Sequence, residues 1–96
     1  MNALGIIRAR RLDILALATK RGARNVRVFG SVVRGDDRAD SDVDFLVDLE
    51  PGRSLFDLGG LLTDLESLLG RSVDIVTTAG LRPRVREEVL RTATVL

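Results

Sequence analysis

Two short apolar runs joined by an acidic loop make up residues 26–49, which read VRVFGSVVRGDDRADSDVDFLVDL. Residues 26–29 and 43–49 are rich in β-branched and aromatic residues and are bounded by Gly, Asp and Ser, so each run predicts a β-strand. Gly30-Ser31 follows the first run, and Asp42-Val43-Asp44 opens the second. We expect the rest of the chain to hold these two strand ends together.

The two carboxylates at the start of the second run predict a cation site. Side chains alternate along a strand, so Asp42 and Asp44 should point the same way, about 7 Å apart at a rise of roughly 3.3 Å per residue. Carboxylates this close raise one another's pKa unless a cation lies between them. Mg²⁺ prefers such hard oxygen ligands, supplied one or two at a time and completed by phosphates. An isolated Asp-x-Asp in an acidic loop is more often a solvated turn.

Gly30-Ser31 predicts the phosphate-binding half of such a site. Glycine lets the backbone approach a ligand closely, and Ser31 is a favourable N-cap for a short helix over residues 32–34. The free N–H groups at the start of that helix, together with the Ser31 hydroxyl, would donate hydrogen bonds to phosphate oxygens. Arg34 would add positive charge, and Gly35 would end the turn.

A chain of 96 residues predicts one domain, residues 1–96, with a single core and no room for a second substrate-gripping lobe. Apolar residues make up 45% and charged residues 30%, which is an ordinary globular balance. The three aromatic residues are all Phe, so base-stacking platforms for single-stranded nucleic acid are scarce, which argues against a nucleic-acid partner. Residues 1–35 carry eight Lys or Arg against one Asp. That excess leaves an acidic partner or nucleic acid open, although a solvated helix face explains it more simply.

The sequence contains neither Cys nor His. A thiol nucleophile, a His general base and a zinc site of the usual kind are therefore excluded, and any general base must be a carboxylate. No apolar run approaches the roughly 18 residues that span a membrane, and no secretory signal is evident. We expect a cytoplasmic protein that does not bind membranes.

Apolar spacing predicts further helices on either side of residues 26–49. One helix should run from Leu4 to Arg21, with Gly22 as its C′ residue, and another from Arg82 to Thr94, with Pro83 in its first turn. Between them, Ser54 and Asp57 resemble a capping pair, Gly70 is a natural end, and leucines form one stripe, at positions Leu58, Leu61, Leu62, Leu65, Leu68 and Leu69. Gly59-Gly60 inside this helix should cost about 1 kcal/mol each relative to Ala, which suggests close packing on the sheet or on a partner.

A third strand is predicted from Val73 to Thr77, and it contains Asp74. Aspartate is disfavoured in strands, so its presence there suggests a function, although a chance surface position is the simpler alternative. If this strand lies beside residues 43–49, Asp74 can meet Asp42 and Asp44. In the acidic loop we expect Asp36, Asp37 and Asp40 to be solvent-exposed, and Ser41 to brace the turn before Asp42.

The pattern Gly30-Ser31, ten residues, Asp42-Val43-Asp44 resembles the signature of the nucleotidyltransferases related to DNA polymerase beta. The phrases FGSVVRG at 29–35, SDVDFLV at 41–47, EPGRSLFDL at 50–58 and LGRSVDIVT at 69–77 are similar to the minimal nucleotidyltransferase branch. The resemblance covers roughly residues 22–94. It implies an α/β fold, with a small mixed β-sheet flanked by helices on one side.

The resemblance also implies a chemistry. Asp42 and Asp44 would hold two Mg²⁺ ions, Asp74 would share one of them and activate an acceptor hydroxyl, and the triphosphate would be held by Gly30, Ser31 and Arg34. The small members of the branch are typically antitoxins that transfer AMP from ATP to a hydroxyl residue of a HEPN-type ribonuclease toxin, with which they can form a hetero-oligomer. The alternative is a catalytically weak or inactive domain that neutralises its partner by binding alone.

Overall fold

The computed structural model describes residues 2–96, which form five helices, four strands and one 3-10 turn. In chain order these elements are α1 (Ala3–Ala9), α2 (Arg11–Lys20), β1 (Ala23–Phe29), α3 (Ser31–Arg34), β2 (Val43–Leu49), α4 (Leu55–Leu69), β3 (Val73–Thr77), the 3-10 turn (Thr78–Gly80), α5 (Pro83–Thr92) and β4 (Thr94–Val95).

The four strands form one mixed sheet in the order β3-β2-β1-β4. Strand β1 is antiparallel to both β2 and β4, whereas β2 and β3 are parallel. Parallel neighbours need a crossover connection, and α4 provides it. As a result β2 and β3 both begin at the same edge of the sheet, and the predicted α/β class with a small mixed sheet is confirmed.

The core lies between the sheet and the three helices α1, α2 and α4. Strand β2 contributes Val43, Phe45 and Val47, each almost completely buried. Helices α1, α2 and α4 add apolar side chains to the same cluster, among them Ile7, Ile14, Ala18, Leu61 and Leu65. The alternation of β2 therefore leaves Asp44 and Asp48 on the opposite face, as predicted.

The single helix predicted from Leu4 to Arg21 is wrong, because α1 and α2 are separate helices that meet at Arg10 (φ −105°, ψ 18°). Helix α1 packs on α3, whereas α2 packs on β1 and α4. The break lets the two halves serve different parts of the core. Gly22 follows α2 with a left-handed backbone (φ 74°), as predicted for a C′ residue.

The last helix ends earlier than predicted. Helix α5 stops at Thr92, and Thr94–Val95 pair with Arg27 and Val28 of β1. The outer edge of β1 offers backbone groups that a β-forming segment can satisfy. No residue of α5 is buried, and its apolar side chain Val85 is 45% exposed.

Helix α4 begins and ends as predicted. The Ser54 hydroxyl accepts a hydrogen bond from the Phe56 N–H (3.2 Å), the Asp57 carboxylate accepts one from the Ser54 N–H (3.0 Å), and Gly70 ends the helix with φ 66°. Gly60 packs closely, but against the side chain of Arg21, the C-cap residue of α2, rather than against the sheet. A Cβ at Gly60 would lie 2.5 Å from the Arg21 guanidinium, which pairs with Asp64 at 3.1 Å.

None of the helices within residues 2–96 combines the length and the apolar character that crossing a membrane requires.

Candidate active site

Asp44 and Asp74 lie side by side at the edge where β2 and β3 begin. They are direct partners in the parallel register of the two strands, so both side chains leave the same face of the sheet. The condition on which the prediction for Asp74 depended, that its strand lies beside residues 43–49, is met. The Val43 N–H, which donates to the Ser72 carbonyl at 2.9 Å, extends the pairing to the start of both strands.

The three candidate carboxylates interact electrostatically. Asp44 is partly buried, whereas Asp42 and Asp74 are exposed. Burial raises the pKa of the Asp44 carboxyl, the negative charges of Asp74 and Asp42 raise it further, and Arg34 opposes the shift. This mutual repulsion is what a cation between the carboxylates would relieve.

The donor set is open rather than closed. Within residues 2–96 no group of three or more acidic side chains is arranged so that it could hold a metal ion by itself. Mg²⁺ usually keeps several waters and is held by one or two carboxylates together with substrate phosphates, so an open edge of aspartates fits it. That Asp42, Asp44 and Asp74 are its ligands remains a prediction.

Gly30 lies directly against Asp44. Its backbone has φ 78° and ψ −150°, a region that only glycine adopts readily, and a Cβ placed there would overlap the Asp44 Oδ2 atom. Phe29, the preceding residue, is the antiparallel partner of Asp44, which brings the end of β1 to this edge. The close approach predicted for Gly30 is therefore an approach to one of the carboxylates.

The role predicted for Ser31 in starting the short helix is wrong. Gly30 occupies the N-cap position, its carbonyl accepts from the N–H groups of Val33 and Arg34 at 3.1 Å, and no side chain caps α3. Ser31 is instead the first helical residue, and a side chain at the position before it would overlap Asp44. Gly35 ends the helix in the left-handed region (φ 81°), as predicted.

Arg34 is close enough for its charge to oppose the rise in the Asp44 pKa, but its side chain pairs with a different residue. Its Nε atom lies 3.2 Å from Asp36 Oδ2 on the surface. With Gly30 and Val33 it lines a hollow of about 160 Å³ that Glu88 and Thr92 of α5 close on the other side. The sequence pattern did not single out these α5 residues, since nothing in their spacing separates them from an ordinary exposed helix face.

In the acidic loop, Asp37 is less exposed than predicted, and the loop is bound by an arginine that no sequence motif indicated. Asp37 was expected to be solvent-exposed, but its side chain is only 15% exposed and pairs with Arg71. Arg71, which the motif did not indicate, also donates to two carbonyls of the loop. The predicted brace is present, because the Ser41 hydroxyl accepts from the Arg38 N–H at 2.8 Å.

A larger hollow than the one beside Arg34, of about 520 Å³, lies elsewhere. It is lined by residues at the far end of β2 and β3, including Asp48, Leu49 and Thr78, and by Leu55 of α4. The Asp48 carboxylate there is already bound by the Thr78 hydroxyl and by the Asn25 amide. This hollow is separated from Asp44 by the length of β2 and is not the predicted site.

The mixed sheet, with paired aspartates at the edge where a glycine turn meets them, is the architecture of a nucleotidyltransferase. A family model described as a nucleotidyltransferase domain matches residues 14–96. The chain belongs to this family.

Individual relatives support the assignment. The chain is 47% identical over 70 residues to the protein adenylyltransferase MntA of Thermococcus cleftensis, a match that covers 73% of this chain and 71% of that protein. A solved structure provisionally assigned as a minimal nucleotidyltransferase is 53% identical, with a TM-score of 0.89 over 100% of this chain and 97% of the other. A chain of a toxin–antitoxin crystal structure with AMP-PNP shares the fold at 21% identity, with a TM-score of 0.74 over 88% of this chain and 69% of that chain.

Proposed function

We propose that this protein transfers AMP from ATP to a hydroxyl side chain of a partner protein, and that the partner is a HEPN-type ribonuclease toxin which the transfer neutralises. The observation that carries the proposal is the register pairing of Asp44 with Asp74 against Gly30. The similarity to a protein adenylyltransferase supports the choice of AMP. The toxin–antitoxin structure of the same fold supports the kind of partner, which would form a hetero-oligomer with this chain.

Each residue where β2 and β3 begin would have its own role in the transfer. Asp42 and Asp44 would hold two Mg²⁺ ions, with Asp74 sharing one. When bound, the metal ions neutralise charge on the phosphates that develops during transfer. Asp74 is exposed, so it can accept the proton of an incoming hydroxyl, in keeping with a chain that has no His. Gly30 and Ser31 would bind the triphosphate, and Arg34 would add positive charge beside it.

The reaction is a displacement at phosphorus. The acceptor oxygen forms a bond to the α-phosphorus of ATP, the bond from that phosphorus to the bridging oxygen breaks, and pyrophosphate leaves with its electron pair. The proton of the hydroxyl passes to Asp74. The product is an AMP ester of the partner. The hollow between Arg34 and Glu88 borders Gly30 and offers space for the sugar or base of the donor.

A second candidate function is neutralisation by contact alone, and one observation favours it. Leu55 and Phe56, in the first turn of α4, are 82% and 88% exposed, and Leu55 lines the hollow of about 520 Å³. Exposed large apolar side chains that lie together are typical of protein interaction sites. This pair is at the far end of β2 from Asp44, so the two candidate functions depend on separate surfaces.

Co-expression with the toxin separates the two functions. If transfer neutralises the toxin, the variant Asp44→Asn should leave cells growth-arrested while still co-purifying with it. If contact is sufficient, Asp44→Asn should protect cells fully, and the double variant Leu55→Ser with Phe56→Ser should fail. Wild-type protein that protects without any AMP on the toxin would rule out the transferase proposal.

A further inference from the structure

We propose that Arg71 is a positioning residue for this site, because it holds the loop of residues 37–41, which leads directly into Asp42 immediately before β2. The inference deepens the proposed function and rests on it for the meaning of the site. The loop itself and the contacts that hold it are properties of the protein without any ligand.

One guanidinium collects three acceptors from this loop. Arg71 Nη1 lies 3.3 Å from Asp37 Oδ2, and Nη2 donates to the carbonyls of Arg38 at 2.8 Å and Ser41 at 2.9 Å. Residues 36–42 contain no helix or strand, so they have no backbone ladder to fix them. A planar fork of donors is suited to such multiple contacts, whereas a lysine ammonium is not a geometric equivalent.

The Arg71–Asp37 pair differs from the other ion pairs of the described residues. Its side chains are 20% and 15% exposed, the lowest values among those pairs. Exposed pairs contribute little, whereas removing one partner of a buried pair leaves an uncompensated charge. The buried Arg71 Nε has no hydrogen-bond partner within residues 2–96, so the guanidinium is placed for the loop at the expense of one of its own donors.

Arg71 connects the loop that precedes Asp42 to the segment that precedes Asp74. Asp42 directly follows the loop and precedes β2, so no strand pairing fixes it. Arg71 lies between the end of α4 and the start of β3, three residues before Asp74. Its contacts to the Ser41 carbonyl, together with the bond from the Val43 N–H to the Ser72 carbonyl at 2.9 Å, join these segments on both sides of Asp42.

A purely structural role would stabilise the fold without affecting the site, so the test needs a matched control. Arg21→Lys provides it, because Arg21 also forms a partly buried pair, with Asp64 at 3.1 Å, but contacts α4 rather than the loop. Arg71→Lys keeps the charge and removes the fork. Asp37→Asn is the second variant, for the case that Arg71→Lys does not fold.

The experiment measures Mg²⁺ affinity by calorimetry with the metal alone, amide hydrogen exchange over residues 37–43, and AMP transfer at several Mg²⁺ concentrations. We expect Arg71→Lys to lose about 10-fold in Mg²⁺ affinity, the lower end of the loss seen when a group that hydrogen-bonds a metal ligand is mutated, because Arg71 holds the loop before Asp42 rather than Asp42 itself. Amides of the loop should exchange faster than in Arg21→Lys, and raised Mg²⁺ should partly restore the transfer rate.

Wild-type affinity and loop protection in Arg71→Lys, with an active wild-type enzyme, would overturn the positioning role and leave the proposed function intact. Equal losses in Arg71→Lys and Arg21→Lys would also overturn it. A wild-type protein that neither binds Mg²⁺ nor transfers AMP would overturn the proposed function, and any role of Arg71 in that site with it. In that case, faster amide hydrogen exchange of the loop in Arg71→Lys, but not in Arg21→Lys, would still show that Arg71 holds the loop.

Discussion

The Cα of Gly30 faces the carboxylate of Asp44 so closely that no β-carbon fits between them. This contact joins the end of β1 to the start of β2. It sets the distance between the turn at Gly30 and the aspartates where β2 and β3 begin. Any side chain at position 30 must displace either the turn or Asp44.

Gly30→Ala should therefore reduce both AMP transfer and stability. The variant Gly35→Ala is the matched control, because Gly35 also has a positive φ (81°) but open space where its Cβ would be. Left-handed backbone at an alanine costs about 1–2 kcal/mol, which is the loss in unfolding free energy that we expect for Gly35→Ala. Gly30→Ala should lose more unfolding free energy than Gly35→Ala, as measured by urea unfolding, and it should also lose AMP transfer activity. Equal effects of the two variants would contradict a specific contact with Asp44.

Asp44→Asn should stabilise the metal-free protein at neutral pH, because it removes a partly buried charge that faces Asp74 and Asp42. Mg²⁺ with ATP at about 100 times its Kd should stabilise the wild type by about 2.7 kcal/mol and should leave the variant unchanged. Melting curves of both proteins, with and without Mg²⁺ and ATP, test this. Glu87→Gln, which removes an exposed charge of α5, should behave as the wild type. A lower melting temperature for Asp44→Asn than for the wild type without metal would refute the repulsion between the carboxylates.

The hydrogen-bonded carboxylate of Asp48 should make the stability of the protein depend on pH. The hydrogen bond from the Thr78 hydroxyl lowers the pKa of the Asp48 carboxyl below its usual 3.8, the Asn25 amide acts in the same direction, and burial opposes them. A lowered folded pKa stabilises the protein above the unfolded value, and this contribution is lost as the pH falls through the folded value. Thr78→Val should therefore be less stable than the wild type at neutral pH, and the difference should shrink below about pH 3.8.

Urea unfolding between pH 7 and pH 2 measures that difference. Thr63→Val is the control, because the Thr63 hydroxyl bonds only to a carbonyl within its own helix. A gap between Thr78→Val and the wild type that stays constant across this range would exclude Asp48 as its source.

The adjacent glycines of α4 should respond differently to alanine. Gly59 has open space around its Cβ position, so Gly59→Ala should gain about 1 kcal/mol from helix propensity. Gly60→Ala has the same propensity but must move the Arg21 guanidinium away from Asp64, and it should gain less. Thermal or urea unfolding of the two variants side by side is the measurement. A larger gain at position 60 would show that Arg21 moves aside at no cost.

Features set by local chemistry were readable from the sequence. Strand β2 has the predicted bounds, and α4 has the predicted capping pair and glycine end, because β-branched runs, Ser-x-x-Asp and Gly act within a few residues. The pairing of Asp74 with Asp44 could be stated only conditionally, since it depends on which strands are neighbours.

Features set by distant contacts could not be read. The break at Arg10 depends on what α1 and α2 pack against, and β4 exists because β1 has a free edge. Position 30 needs a glycine because Asp44, fourteen residues later, leaves no room for a side chain. Arg71 binds a loop about thirty residues earlier in the chain, and no local pattern marks such a contact.

The central claim is that the edge formed by Asp42, Asp44 and Asp74 transfers AMP to a partner protein. The most direct test incubates the purified protein with its toxin, ATP and Mg²⁺ and records the intact mass of both chains. We predict that the toxin gains the mass of one or more AMP groups with the wild type and none with Asp44→Asn. A toxin of unchanged mass with the wild type, or the same gain with Asp44→Asn, would contradict the account.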